Sequence, residues 1–285
     1  MSEVRGVPSN IDVIRNIFLD AQQAVIRYSD FKLLLDYLEN TPVEFRSVAF
    51  EAAAAALAVN DFENNSELNQ WKAFKELTLN HEAQVHVGLG WGMAQVRLTD
   101  FSFINTIVPL MQARVLDGYG YYDGMVRQRQ HVINKIIPDH IPLEVLAAYN
   151  QGIGRSLWYL SEGSINKLSN LLNGFASPRL IGLWRGIGVA SAYVGGCSAQ
   201  TLSHLYTLAD SYQPQLASGT FLAACARLIA KSPLAETQTA CEHLCKLSPA
   251  EVLLLNSKIL ESINLSAGDA YFIFLDKVEK ELSIL

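Results

Sequence analysis

The sequence predicts an all-α fold: a right-handed, α-solenoid-like stack of helix hairpins with a period of about 34 residues, TPR-like in architecture. Three observations carry this expectation. Gly-x-Gly steps recur at Gly88/Gly90, Gly118/Gly120, Gly152/Gly154 and Gly186/Gly188, their first glycines 30, 34 and 34 residues apart. Shifting 152–164 by 34 places Ile153 on Ile187, Tyr159 on Tyr193 and Ser164 on Ser198, with Leu168 then on Leu202. Prolines at 178, 214, 233 and 249 each stand where a helix could begin.

The elements follow in order. Ser9 or Asn10 can cap a first helix whose apolar positions Ile11, Ile14, Ile17, Phe18, Ala21, Val25 and Ile26 keep a helical period. A second starts near Phe31 and stops before Thr41-Pro42. Pro42 opens 43–59, where Ala52 to Ala56 form a strong helix-forming block. A polar turn at 60–67 precedes a helix through Trp71 and Leu77. From there one helix of each unit carries the Gly-x-Gly step and its partner follows a turn: 152–160 then 164–172, 184–194 then 199–209, 216–230 then 235–246, and 249–263. The chain divides into an N-terminal helical cap (1–41), a helical-repeat region (42–265) and a C-terminal helix or tail (266–285). Glycine within a helix costs about 1 kcal/mol against alanine, so several in register call for close approach of helix backbones.

Composition narrows the function classes. Half of the 285 residues are apolar and 18% are charged, which suits helices packed on two sides. The net charge of −6 lacks the basic footprint that nucleic-acid partners need. Residues 1–10 are polar and are not expected to act as a signal peptide, and the apolar runs at 48–59 and 180–199 carry charges or several glycines. A soluble, cytoplasmic protein is expected, with Cys197, Cys225, Cys241 and Cys245 as reduced thiols. The glycine steps lack the strand-then-helix setting of a dinucleotide loop, and no nucleophile elbow or Ser-His-Asp arrangement is legible, so no cofactor is expected.

Polar residues ride on the repeat. Asp117, Gln151 and Arg185 stand one step before their glycines and form a column along successive helices. It is either a structural hydrogen-bond ladder, favoured by the cost of burying unpaired polar groups, or a strip lining a groove. Tyr119, Tyr121, Tyr122, Asp123, Arg155, Trp158, Tyr159, Trp184 and Tyr193 surround it. Aromatic bodies with polar tips suit a mostly apolar ligand with a few oxygens, or a core whose hydroxyls are satisfied. Glu51, within the alanine block, could have a raised pKa and work as an acid or base, or pair with Arg97, Arg155 or Arg185. His81, Glu82 and His86 lack a third ligand at metal spacing, and the Cys241/Cys245 pair is not Cys-x-x-Cys, so no metal is expected.

Several segments resemble a bacterial family of unassigned function associated with enediyne biosynthesis. They are Phe50-Glu51-Ala52-Ala53 with Ala56-Leu57-Ala58, His86-Val87-Gly88-Leu89-Gly90-Trp91 with Arg97, and Asp117-Gly118-Tyr119-Gly120. The most specific is Gln151-Gly152-Ile153-Gly154-Arg155-Ser156-Leu157-Trp158-Tyr159. Leu183 to Gly188 with Tyr193 to Gly196, and Ala217-Ser218-Gly219 with Ala223 to Arg227, continue it to about Leu247. The chain departs from the family at Ala52, where glycine is usual. It departs again at Tyr121-Tyr122, where Phe-His is usual, so no catalytic histidine carries over there.

The resemblance implies an accessory protein of polyketide or enediyne-like biosynthesis. Such a protein would bind an apolar, polyene-like intermediate in a helical groove, with isomerase or cyclase chemistry from Glu51, His86, Asp117 or Arg155. Its ligand contacts would come from Tyr119, Tyr122, Asp123, Gln151, Trp158, Tyr159, Trp184, Arg185 and Tyr193. The alternative is a non-enzymatic scaffold that docks a synthase, a carrier protein or a peptide on its concave face.

Overall fold

A computed structural model describes residues 8–284; among these there is no strand. The expectations for residues 1–7 lie outside the described residues. Helices α1 (Pro8–Arg27) and α2 (Phe31–Glu39) lead into α3 (Arg46–Glu63), α4 (Asn69–Leu77), α5 (Glu82–Gln95), α6 (Pro109–Val126) and α7 (Leu146–Ser161). Then come α8 (Ile165–Leu172), α9 (Ser177–Val194), α10 (Ala199–Ala209), α11 (Gln213–Ile229) and α12 (Ala235–Leu244), closed by α13 (Pro249–Glu261) and α14 (Ala270–Leu282).

The local chemistry accounts for these limits. Pro109, Pro178, Pro214 and Pro249 sit in the first turns of α6, α9, α11 and α13, where a missing N–H costs nothing. Helix α9 therefore starts at Ser177, seven residues before the 184–194 expected from the repeat. Ser164 and Ser198 cap α8 and α10 through the backbone N–H groups of Lys167 and Thr201. Ser248 and Glu251 form a reciprocal capping box on α13.

The core is a row of six helices, α3, α5, α6, α7, α9 and α11, packed in that order. Register gives their direction. Gly88 faces the Glu51 carbonyl and Gly92 the Ala55 carbonyl, four residues on in both helices. Likewise Gly182 faces Ala147 and Gly186 faces Gln151, so neighbours run parallel. In-helix glycines make this approach possible: a β-carbon on Gly90, Gly118, Gly154 or Gly186 would collide with a carbonyl oxygen of the adjacent helix. The α3–α5 contact is one-sided, with α5 supplying both glycines and α3 supplying Ala54, Ala55 and Ala58. The cost of each helical glycine is offset by backbone-to-backbone contact along the whole row.

The segments returning between row helices are less regular than a hairpin repeat. Helices α4, α8 and α10 fill three of the five returns, and α12 follows the last row helix. Between α5 and α6, and between α6 and α7, there are only short turns, including a π-helical turn at Arg129–Ile133. The row also curls until its ends meet. Arg227 Nη1 of α11 donates to the Glu44 carbonyl just before α3 (2.6 Å), and Gln84 Nε2 of α5 to the Ala226 carbonyl (3.5 Å). Helix α1 packs on α3 and reaches α9, where Asn10 Nδ2 donates to the Val194 carbonyl at 3.0 Å. Helix α14 bridges α11 and α6. No helix among the described residues is long and apolar enough to cross a membrane.

Candidate functional site

Curling brings residues far apart in sequence together inside the row. Gln151 Nε2 donates to Asp117 Oδ2 at 3.0 Å, one 34-residue step away. Arg155 lies between two acids, with Nη1 3.5 Å from Asp117 Oδ2 and Nη2 3.5 Å from Glu51 Oε1, and stacks on the Tyr121 ring at 4.3 Å. Tyr271 of α14 donates to Gln151 Oε1 (2.8 Å). Arg185 pairs with Glu279 of α14 at 2.5 Å and with Ser218 at 3.3 Å. The residues preceding the glycines thus form a buried polar ladder in two hydrogen-bonded pieces, Asp117–Gln151–Tyr271 and Arg185–Ser218–Glu279.

Burial sets the electrostatics of this ladder. Desolvation pushes the Glu51 carboxyl up to about 7, against the opposing pull of Arg155. Burial would depress Arg155, but Asp117 and Glu51 together hold its pKa above the usual arginine range. Asp117 Oδ1 and Arg155 Nε have no hydrogen-bond partner, so two acids compete for one guanidinium at long range. None of the large cavities is lined by Glu51, Asp117, Gln151, Arg155 or Arg185.

The other residues expected around the column occupy several surroundings. Trp158 and Trp184 are core residues. Tyr193 lies under the Arg227 guanidinium at 4.3 Å, and Tyr159 against Tyr121 with ring centroids 5.5 Å apart. Tyr122 carries the Arg127 guanidinium at 5.1 Å. His86 donates from Nδ1 to the Glu82 carbonyl (2.7 Å) and meets the Trp71 ring edge-on, with burial lowering its pKa to about 4. His81 instead stacks flat on Phe50, 4.0 Å between centroids.

Two of the expected residues, Tyr119 and Asp123, do line a cavity. It measures about 610 Å³ and lies between the turn after α5, the second half of α6 and the 127–140 segment. Asp123 is completely buried at its floor. Arg127 Nη1 donates to its Oδ1 (2.6 Å) and the Tyr149 hydroxyl to its Oδ2 (3.0 Å). The π-helical turn brings His131 in: its Nδ1 donates to the Ile136 carbonyl (2.9 Å), which leaves Nε2 facing Asp123 Oδ2 at 3.7 Å.

On the opposite wall the Tyr119 oxygen is 3.1 Å from the Leu98 carbonyl and 3.0 Å from His140 Nε2. A carbonyl only accepts, so the phenol donates to Leu98 and His140 donates through Nε2–H, leaving a lone pair on Nδ1. Burial lowers the His140 pKa and raises that of Tyr119 to about 12. A neutral imidazole base and a protonated phenol therefore share this wall. Arg127, His131 and His140 escaped the sequence reading because the 127–140 segment breaks the 34-residue register, and Tyr149 because nothing within the regular α7 sets it apart from a core aromatic. The basic run Arg127, Arg129, His131 was the one available signal.

Two further cavities have different characters. One of 610 Å³ beside α11 and α12 is walled largely by Ala224, Leu228, Pro233 and Leu234, and one of 820 Å³ lies by the turn after α3. Neither brings a phenol or an imidazole to its wall.

The chain matches, over residues 4–282, the family described as protein of unknown function (DUF1702), and it belongs to that family. Neither a curated protein nor a solved structure matches it.

Proposed function

We propose that this DUF1702 protein holds a small oxygenated molecule in the cavity beside α6 and moves a proton on it, as an accessory step in polyketide or enediyne-like biosynthesis. One observation carries the chemical part: His140, Tyr119, His131 and Asp123 converge on a single cavity of about 610 Å³. That volume lies within the usual range for small-molecule sites. His140 is the base, and Tyr119 orients it. Asp123, held by Arg127 and Tyr149, places its carboxyl group beside His131. Isomerisation or cyclisation of a carbonyl-bearing intermediate is the reaction class this set suits, since both require a proton to be taken and returned. The biosynthetic setting rests on the sequence resemblance.

The repeat is part of the same reading: the row derives from a right-handed, TPR-like stack whose curl has filled its own concave face. The ladder and the aromatic cluster occupy the surface on which a scaffold would dock a synthase, carrier protein or peptide, which weighs against that alternative.

Native mass spectrometry of the protein recovered from its own cells tests the proposal. A small molecule bound to the wild-type chain and absent from Val126→Trp, which obstructs the cavity mouth, is the expected result. Retention of a synthase or carrier subunit, with no small molecule, would move the function to the scaffold.

A further inference from the structure

We propose that the cavity beside α6 takes an organic anion, a carboxylate or phosphate head on an apolar chain. This inference rests on reading that cavity as a small-molecule site. Its wall carries three arginines, Arg97, Arg127 and Arg129, against one acid, Asp123, in a chain whose net charge is −6. Arg127 is already committed, to Asp123, to the Ala94 carbonyl (2.7 Å) and to the Tyr122 ring. It neutralises Asp123 and leaves the cavity to the other two arginines.

Arg97 and Arg129 are exposed and make no ion pair or side-chain hydrogen bond among the described residues. They come from different segments, one from the left-handed turn after α5 (φ +59°) and one from the π-helical turn. Two unpaired guanidinium groups at one cavity offer forked donors matched to an oxyanion. The chain half of the ligand has its own surface. Val126 lines the cavity while 57% exposed, and Ile133 and Ile136, beside His131, are 60% and 50% exposed. Apolar side chains left in water next to a cationic cavity suit an amphiphile, with its head inside and its tail across the rim.

Isothermal titration with decanoate, decyl phosphate and decanol, each below its aggregation concentration, tests this. The two anions separate carboxylate from phosphate preference, and decanol reports the tail alone. The expected result is that at least one anion binds about tenfold or more tighter than decanol, weakens with salt, and loses about tenfold for each of Arg97→Gln and Arg129→Gln. Both substitutions are at exposed positions and leave the fold intact, which circular dichroism checks.

Decanol binding as tightly as the anions, and blocked by Val126→Trp, would overturn the anion inference while the small-molecule cavity stands. Anion binding that Val126→Trp leaves unchanged would place the anions outside the cavity and overturn both. No binding of any probe up to about 1 mM would also overturn the anion inference.

Discussion

Gly120 and Gly152 face each other across the α6–α7 interface, each lying against the carbonyl three residues before the other: Gly120 on Tyr149, Gly152 on Asp117. The same reciprocal offset joins Gly90 with Gly118, Gly154 with Gly186, and Gly188 with Gly219. A glycine pair two residues apart points to opposite sides of its helix, so each helix is clasped by both neighbours. Gly152→Ala would put a methyl group onto backbone that cannot move without parting two helices. It is expected to cost about 2–3 kcal/mol in urea unfolding. Gly268→Ala, where a β-carbon meets nothing within 4 Å, is expected to stay within about 0.5 kcal/mol of wild type.

That clasp was legible in the sequence because the glycines repeat, and repetition along a helix is a statement about neighbours. The column Asp117, Gln151, Arg185 was legible for the same reason. Curvature was not. Nothing in a 34-residue period says that the row will curl until Arg155 meets Glu51, 104 residues away, or that Arg227 will reach the Glu44 carbonyl. The acid–base cavity was half legible: Tyr119 and Asp123 lie on the repeat, whereas His131 and His140 lie in returns with no periodic pattern. Their positions depend on a π-helical turn and a proline-flanked loop, which only tertiary packing selects.

Glu51 makes stability depend on pH. Burial raises its folded pKa to about 7 from 4.5, so between these values the folded chain holds a proton that the unfolded chain has lost. Stability therefore falls as pH rises from about 4.5 to 7, by up to about 3 kcal/mol, and is flat with respect to this group above and below. Glu51→Gln is expected to remove that slope in unfolding titrations at pH 5 and 8, and to be the more stable chain at pH 8. Arg155→Met is expected to do the reverse, costing about 3 kcal/mol or more by leaving Asp117 and Glu51 buried together. A pH-independent difference between Glu51→Gln and wild type would show that Glu51 does not titrate in this range.

Asp123 and Arg127 should behave as one unit. The 2.6 Å contact lies at the cavity floor, with the carboxylate buried and the guanidinium largely so. Arg127→Met leaves a buried carboxylate hydrogen-bonded by Tyr149, with His131 Nε2 3.7 Å away, and is expected to cost about 3 kcal/mol. Asp123→Asn costs less, since an amide still accepts from Tyr149. In a double-mutant cycle the pair is expected to couple by more than about 1 kcal/mol. Additive losses would mean that the contact does not hold the floor of the cavity.

Helix α14 completes the ladder, and removing its polar contacts should cost more than removing an ordinary C-terminal helix. Glu279 accepts from Arg185 (2.5 Å), from Ser218 (2.8 Å) and from Gln215 (2.8 Å), so one carboxylate satisfies three groups on α9 and α11. Tyr271 reaches Gln151 of α7, and Phe274, Leu275 and Val278 are buried beneath the helix. With Glu279→Ala the Arg185 guanidinium, only 6% exposed at its side chain, keeps Ser218 as its remaining partner. The expected loss is about 2–3 kcal/mol in chemical unfolding, against about 1 kcal/mol for Tyr271→Phe, which removes a single hydrogen bond. Neither residue lines the cavity, so ligand binding there should be unchanged at temperatures where the variants remain folded. If Glu279→Ala proved neutral, Arg185 would have to find water, and α14 would be cover for the row and not part of what holds it.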